Sequence, residues 1–194
     1  MAKRPPVIGV LALQGCVAPH RPHLEAAGAD TREVRTAAEI ASVDGLILPG
    51  GESTTMLKLI DRFGLEAPLR AVFESRPVWG VCAGAILMAS KVVGPEQPAF
   101  NLIGMTVERN AYGRQLASRQ DAVDGYTVSY IRAPRIADLW DPEAQVLARR
   151  DGDPVWLRTR RYMASTFHAE LTKAWPSPMH KTFLAMVEAA SRSA

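Results

Sequence analysis

Cys82, His168 and Glu170 have the residue types and spacing of a nucleophilic site. Cys82 lies between Gly80 and Gly84 in Val78-Trp79-Gly80-Val81-Cys82-Ala83-Gly84-Ala85-Ile86-Leu87. An apolar run precedes it and a helix-forming run follows, the G-x-C-x-G form of a nucleophile elbow with sulfur in place of oxygen. A sharp strand-to-helix turn lifts the middle side chain out of the sheet, and the glycines allow a crossing that a Cβ would block. The helix start presents backbone N–H groups to negative charge on the sulfur. A buried cysteine beside two packing glycines is the other reading, and this stretch alone does not choose between them.

A cysteine nucleophile needs a base, and the base needs an orienting group. Among the four histidines, His20 and His23 lie between prolines and read as surface residues. His180 begins the last helix and reads as exposed. His168 ends an apolar strand, with Glu170 two residues on. In extended backbone such residues share a side, about 6.5–7 Å apart. The carboxylate can then fix the imidazole tautomer and leave the other nitrogen free for Cys82. Taken alone, an H-x-E is read first as a surface strand end with two solvated polar residues. Pro49-Gly50-Gly51-Glu52 follows another apolar run, and its glycines let backbone N–H groups approach a ligand. The amides of Gly51 and Ala83 are candidate oxyanion donors; a tight turn with a helix cap is the alternative.

These groups need a frame. Residues 7–13, 43–48 and 78–81 are apolar runs typical of strands buried on both faces, and 31–35 reads as a further strand. Pro19 and Pro22 fit only a first helical turn, so residues 16–27 become helical in their second half, up to Gly28. A short helical turn is expected over 37–41. Ser53 or Thr54 is expected to cap a helix over 56–63, ended by Gly64. Another helix covers 68–75, and the helix after Cys82 runs to about Val93. Beyond a loop at 94–101 the strands are shorter, over 105–109, 126–131, 145–148, 155–158 and 162–167. A helix over 179–190 closes the chain.

The pattern predicts one α/β domain over 1–194. It has three layers: a mostly parallel central sheet, helices on both faces, and some antiparallel strands in the C-terminal half. Ligands of such sheets sit at the strands' carboxyl ends. Gln14-Gly15, Gly50-Gly51-Glu52 and Cys82-Ala83 should therefore meet at one site.

A net charge of +3 is too small to argue for nucleic acid. Arg149-Arg150 and Arg158-Thr159-Arg160-Arg161 read as a solvated face or a protein-binding edge. The two cysteines, Cys16 and Cys82, form no C-x-x-C pair and suggest neither a metal site nor a disulfide framework. No run reaches the ~20 apolar residues of a membrane helix, and no secretory signal is recognisable. A cytoplasmic protein with reduced thiols is expected.

The chain resembles the class I, triad-type glutamine amidotransferases, and more closely the glutaminase subunits of pyridoxal 5′-phosphate synthases. The resemblance is carried by Gly9-Val10-Leu11-Ala12-Leu13-Gln14-Gly15, Leu48-Pro49-Gly50-Gly51-Glu52-Ser53-Thr54-Thr55-Met56, Cys82-Ala83-Gly84, Glu108-Arg109-Asn110-Ala111-Tyr112-Gly113-Arg114-Gln115, Ile131-Arg132-Ala133-Pro134 and Phe167-His168-Ala169-Glu170-Leu171-Thr172. It implies a glutaminase with Cys82 as nucleophile and His168 and Glu170 completing the triad. Gly50, Gly51, Glu52, Arg109, Ile131 and Arg132 match the glutamine-binding positions. Gln14 and Gly15 match a region that rearranges when the synthase docks. The implied partner is a (β/α)8 synthase subunit that builds the cofactor from ribose 5-phosphate and glyceraldehyde 3-phosphate. The glutaminase itself needs no metal or organic cofactor.

The sequence departs from the family pattern in three places. Ala169 replaces a proline, residues 116–130 form a shortened segment, and Pro19 and Pro22 interrupt a region that is a plain helix elsewhere. Two rival readings follow: a cysteine hydrolase of the DJ-1/PfpI-like sort, and a subunit that docks without glutaminase activity.

Overall fold

The computed structural model describes residues 4–111 and 119–192. The Tyr112-Gly113-Arg114-Gln115 part of one motif, and the first residues of the shortened segment, lie outside them. Strands β1 (Val7–Leu11), β3 (Gly45–Leu48) and β4 (Val78–Val81) are buried at every position. Successive side chains of a strand point to opposite faces, and this feeds two cores. Leu46 and Leu48 pack with Met56, Ile60 and Phe73 on one side. Ile8, Val10 and Ile47 pack with Leu24, Trp79 and Phe183 on the other.

With β2 (Asp30–Val34) and β12 (Tyr162–Ser165), these strands form a parallel run ordered β12-β4-β3-β1-β2. The antiparallel strands β11 (Asp153–Arg158) and β10 (Gln145–Arg150) extend it beyond β12. Helices α1 (His20–Ala27) and α6 (Pro178–Arg192) cover one face. Helices α2 (Ala37–Ala41), α3 (Ser53–Arg62), α4 (Glu66–Ser75) and α5 (Ala83–Met88) cover the other. The three-layer α/β architecture is as expected. Because β1 lies between β2 and β3, the strand order reverses beside β1, which opens a crevice at the carboxyl ends. The ends of β1, β3, β4 and β12, all near neighbours, line it.

Several boundaries differ from the sequence reading. The helix after Cys82 ends at Met88, not near Val93. Ser90-Lys91-Val92-Val93 leaves it as β5 (Ala89–Val93), since β-branched residues favour strand and Val92 is buried against the core. β5 pairs with β6 (Ile103–Glu108), which pairs with β9 (Arg135–Leu139) in a second sheet. Helix α3 begins at Ser53, with Glu52 as its N-cap and no side-chain cap bond. The expected capping hydroxyls are engaged elsewhere: Ser53 Oγ donates to Gln97 Oε1 (2.8 Å) and Thr54 Oγ1 to Glu52 Oε1 (3.2 Å). Strand β7 (Arg119–Val123) was not anticipated; it forms a hairpin with β8 (Tyr126–Tyr130). The late start of α1 holds, with Pro19 at its N-cap. Among the described residues no helix is long and apolar enough to cross a membrane.

Candidate active site

Cys82 sits in the turn between β4 and α5 with φ +49° and ψ −102°. A non-glycine residue there carries strain of about 1–3 kcal/mol, so the surrounding packing must hold it. A Cβ on Gly84 would collide with the Leu48 carbonyl oxygen of β3, and one on Gly80 would lie 2.5 Å from Met88 Sδ and 2.6 Å from the Gly84 backbone. Strand and helix therefore cross at glycine–glycine distance, which forces the thiol outward at the sheet's end. Cys82 itself is 5% exposed, and its N–H donates to Ser165 O of β12 (2.8 Å).

That bond links the turn to β12, the strand that leads into His168. Beyond β12, His168 pairs with β8: its N–H donates to Ser129 O (2.8 Å), and Ser129 N–H donates to His168 O (3.0 Å). The imidazole is fixed by Glu170, whose Oε1 lies 2.6 Å from Nδ1, both side chains being buried. Burial pushes the Glu170 carboxyl up, but the His168 hydrogen bond and nearby imidazoles outweigh it, and its pKa lies below the usual value. Burial likewise opposes charge on His168. Contacts with the Cys16 and Cys82 thiols, and then the bond and charge of Glu170, raise its pKa well above the ordinary value. His168 is thus held toward its protonated form, backed by the Glu170 carboxylate and set beside the Cys82 thiol.

The turn after β3 faces them. A Cβ on Gly50 would collide with Cε1 of the His168 ring, so only glycine leaves room for that ring. Gln14 Oε1 accepts from the Glu52 N–H (2.9 Å), Cys16 N–H donates to Gly50 O (2.8 Å), and a Cβ on Gly15, at φ +104°, would collide with Gly50 O. The Gln14-Gly15 loop therefore holds the turn carrying the Gly51 amide.

The cavity beside Cys82 has a volume of about 240 Å³ and includes Gln14, Gly51, Glu52, Arg109, Ile131, Arg132 and His168 in its wall. Sites for drug-sized ligands span roughly 300–1,000 Å³, so this one suits a smaller molecule. Glu52 bridges two cations, with Oε1 3.2 Å from Arg109 and Oε2 3.4 Å from Arg132. Arg132 holds φ +45°, in the left-handed region. The cavity thus presents both charge signs opposite a thiol, as a free amino acid requires. Among the described residues, Gly15, Gly50 and Ala83 lie behind its wall. A larger cavity, about 590 Å³, is lined by Pro77, Arg158, Arg160, Arg161 and Met186; it lies at the amino end of β4, away from any cysteine.

Three histidines depart from expectation. His20, His23 and His180 are fully buried, not at the surface. Their signal was the i, i+3 spacing of His20 and His23, which puts both on one helix face beside the buried Leu24. Cys16 also had no assigned role, yet it lies in the cavity wall against His168. Ligating atoms of Cys16, His168 and Glu170 fall within 4.8 Å of one another. The His168–Glu170 bond already uses Nδ1 and Oε1, which suits proton transfer better than a metal.

The sequence profile of the SNO glutamine amidotransferase family matches residues 10–189. The chain belongs to that family. It is 46% identical over 194 residues to a pyridoxal 5′-phosphate synthase subunit PdxT of Streptomyces avermitilis, covering 95% of each chain. It is 44% identical to the PdxT of Koribacter versatilis, covering 93% of this chain and 95% of that one. Among solved structures, one described as a glutamine amidotransferase superposes with a TM-score of 0.83 at 39% identity, covering 93% and 98% of the two chains. A more distant GMP synthase subunit from Thermoplasma acidophilum, at 16% identity and TM-score 0.64, shares the fold. Membership in this amidotransferase family, with Glu170 as the histidine's partner, sets aside the DJ-1/PfpI-like reading, whose acid comes from an early strand.

Proposed function

We infer that this protein is the glutaminase subunit of a pyridoxal 5′-phosphate synthase, hydrolysing L-glutamine and passing ammonia to a synthase partner. The observation that carries this reading is the buried 2.6 Å His168–Glu170 contact facing Cys82. Glutamine enters with its α-carboxylate toward Arg109 and Arg132, its α-ammonium toward Glu52, and its side-chain amide over Cys82. The Ile131-Arg132 turn closes over the α-carbon. The Cys82 thiolate attacks the amide carbon, and the amides of Gly51 and Ala83 receive the charge that develops on oxygen. His168 protonates the departing nitrogen, and ammonia leaves a γ-glutamyl thioester. His168 then takes a proton from water, whose oxygen attacks the thioester, releasing glutamate and restoring the thiol.

The ammonia acceptor is a synthase subunit, for which the resemblance implies a (β/α)8 barrel. The Gln14-Gly15 loop is suited to report its docking, because the loop's contacts hold the turn that carries the Gly51 amide. Two thiols against one imidazole call for a reducing compartment, and the cytoplasm is the proposed location. The test is ammonia release from glutamine with the synthase subunit present. Cys82→Ala should abolish it and end labelling by a diazo-ketone glutamine analogue. Ammonia release by Cys82→Ala at the native rate would overturn the assignment. An intact complex whose native chain releases none would favour the docking-only subunit.

A further inference from the structure

Behind Glu170 lies a closed cluster of polar side chains that the reaction above does not use. Helix α1 contributes His20 and His23, and α6 contributes His180, with Ser177 just before it. All four are fully buried. His180 Nε2 is 2.9 Å from His20 Nδ1, and His180 Nδ1 is 2.6 Å from Ser177 Oγ. The His23 and His180 rings stack at 4.3 Å, and Trp79 of β4 meets both His20 and His180 edge to face. His23 accepts the Ser177 N–H at Nδ1 (3.1 Å), so its proton is on Nε2, which donates to the Glu170 carbonyl oxygen (3.3 Å). The cluster is therefore built against the residue that orients His168.

Two atoms in this region are buried and without a hydrogen-bond partner: Glu170 Oε2 and His20 Nε2. One is an acceptor only, and the other can donate. An unmet buried pair of this kind is costly. We propose that His20 is a positioning residue for the triad, a small shift of its ring bringing Nε2–H onto Glu170 Oε2, to which it is not bonded in this structure. One proton arrangement then satisfies every group in turn. Ser177 Oγ–H donates to His180 Nδ1 and His180 Nε2–H to His20 Nδ1, which leaves His20 Nε2–H available for Glu170 Oε2 once the ring shifts. Glu170 Oε1 accepts from His168 Nδ1–H, which leaves His168 Nε2 facing the thiols. The reverse arrangement would aim a bare nitrogen lone pair at a carboxylate. The charges and titratable groups around His20 are Glu170, His168 and His23, with His180 packed against it. Burial first of all keeps His20 neutral, its pKa lowered to about 4, and a neutral ring has one N–H to direct. Held at Oε1 by His168 and, once that contact closes, at Oε2 by His20, the Glu170 carboxylate cannot rotate, and His168 keeps its aim on Cys82.

The inference rests on reading Glu170 as the triad's acid, and the experiment separates the two. In the complex with the synthase subunit, glutamine-dependent ammonia release is followed across pH for His20→Gln, His20→Asn and Glu170→Gln. The amide of glutamine reaches the place of Nε2, whereas that of asparagine reaches only the place of Nδ1. His20→Gln should keep kcat within about threefold of native. His20→Asn should lower kcat roughly 10- to 100-fold with KM within twofold, as misaimed groups do, and should move the alkaline limb of the profile to lower pH. Equal kcat and an unmoved limb in both variants, with Glu170→Gln impaired, would overturn the inference and leave the triad standing. A native Glu170→Gln would overturn the triad reading itself. If His20→Asn does not fold, Ser177→Ala, which releases the far end of the chain, is read by the same limb. A shift supports the proposal, and an unmoved limb overturns it.

Discussion

Replacing Glu170 by glutamine keeps the shape of the side chain and removes its charge, which isolates what the anion does for His168. The lost contact is a 2.6 Å charge-assisted bond between buried groups. Hydrogen bonds to charged partners contribute about 1.5–3 kcal/mol and neutral ones about 0.5–1.5, so the bond alone accounts for about 1.5 kcal/mol. The Coulomb attraction between carboxylate and imidazolium, about 4 kcal/mol at 4 Å in an effective dielectric near 20, sets the upper end. At about 1.4 kcal/mol per tenfold change, kcat should fall roughly 10- to 1,000-fold. The pH dependence has a definite sign. Glu170 raises the His168 pKa, so the imidazolium persists to higher pH in the native protein. Without the anion it deprotonates earlier, and the alkaline limb of kcat must move toward acid. The assay is ammonia release at saturating glutamine and synthase subunit, with labelling of Cys82 by the diazo-ketone analogue followed over the same pH range. A kcat within twofold of native together with an unmoved limb would refute the electrostatic reasoning.

Gly50→Ala places a methyl group against the His168 ring and should lower kcat at least about 100-fold while leaving far-UV circular dichroism unchanged; native turnover would show that the ring can yield. Arg109→Ala removes the less exposed of the two cations paired with Glu52. It should raise KM for glutamine about tenfold with kcat within threefold, since its contact is made equally in ground and transition states. An effect on kcat alone would count against that role. Acid should destabilise the fold in a defined window. His20 is neutral when folded and protonates near pH 6.5 once unfolded, so the unfolded chain binds more protons below that pH and stability falls as pH drops toward about 4. At about 1.36 kcal/mol per pH unit, His20 alone costs about 3 kcal/mol over this window, with His180 adding in the same direction. Urea titrations at several pH values measure it, and a flat midpoint between pH 6.5 and 4.5 would contradict the burial of these rings.

The elbow and the H-x-E pair were readable from sequence because chemistry restricts both residue type and spacing there, and because the strands that carry them are almost wholly apolar. The histidines behind Glu170 were not. Proline neighbours suggest surface, and only the packing of α1 and α6 over Trp79 makes the rings buried. Strands β5, β7 and β9 were missed or misread for a related reason. Their polar residues, such as Ser90 and Lys91 or Arg119 to Asp121, show little alternation, and pairing with β6 and β8 defines them. Cys16 was given no role because nothing local marks it. Its place is set by the Gly50 carbonyl, which belongs to another strand's loop.

The crossing of Gly80 and Gly84 separates two kinds of inheritance. Under the proposed mechanism Cys82 answers to the reaction, so a descendant that no longer hydrolysed glutamine could exchange it for serine or alanine with little effect on folding. Gly84 answers to the Leu48 carbonyl and Gly80 to Met88 and Gly84. Neither glycine can change without parting β3, β4 and α5, whatever the protein does. In a lineage drifting from catalysis toward mere assembly, the nucleophile would vanish first and the glycines on either side of it would remain as the fossil of the elbow.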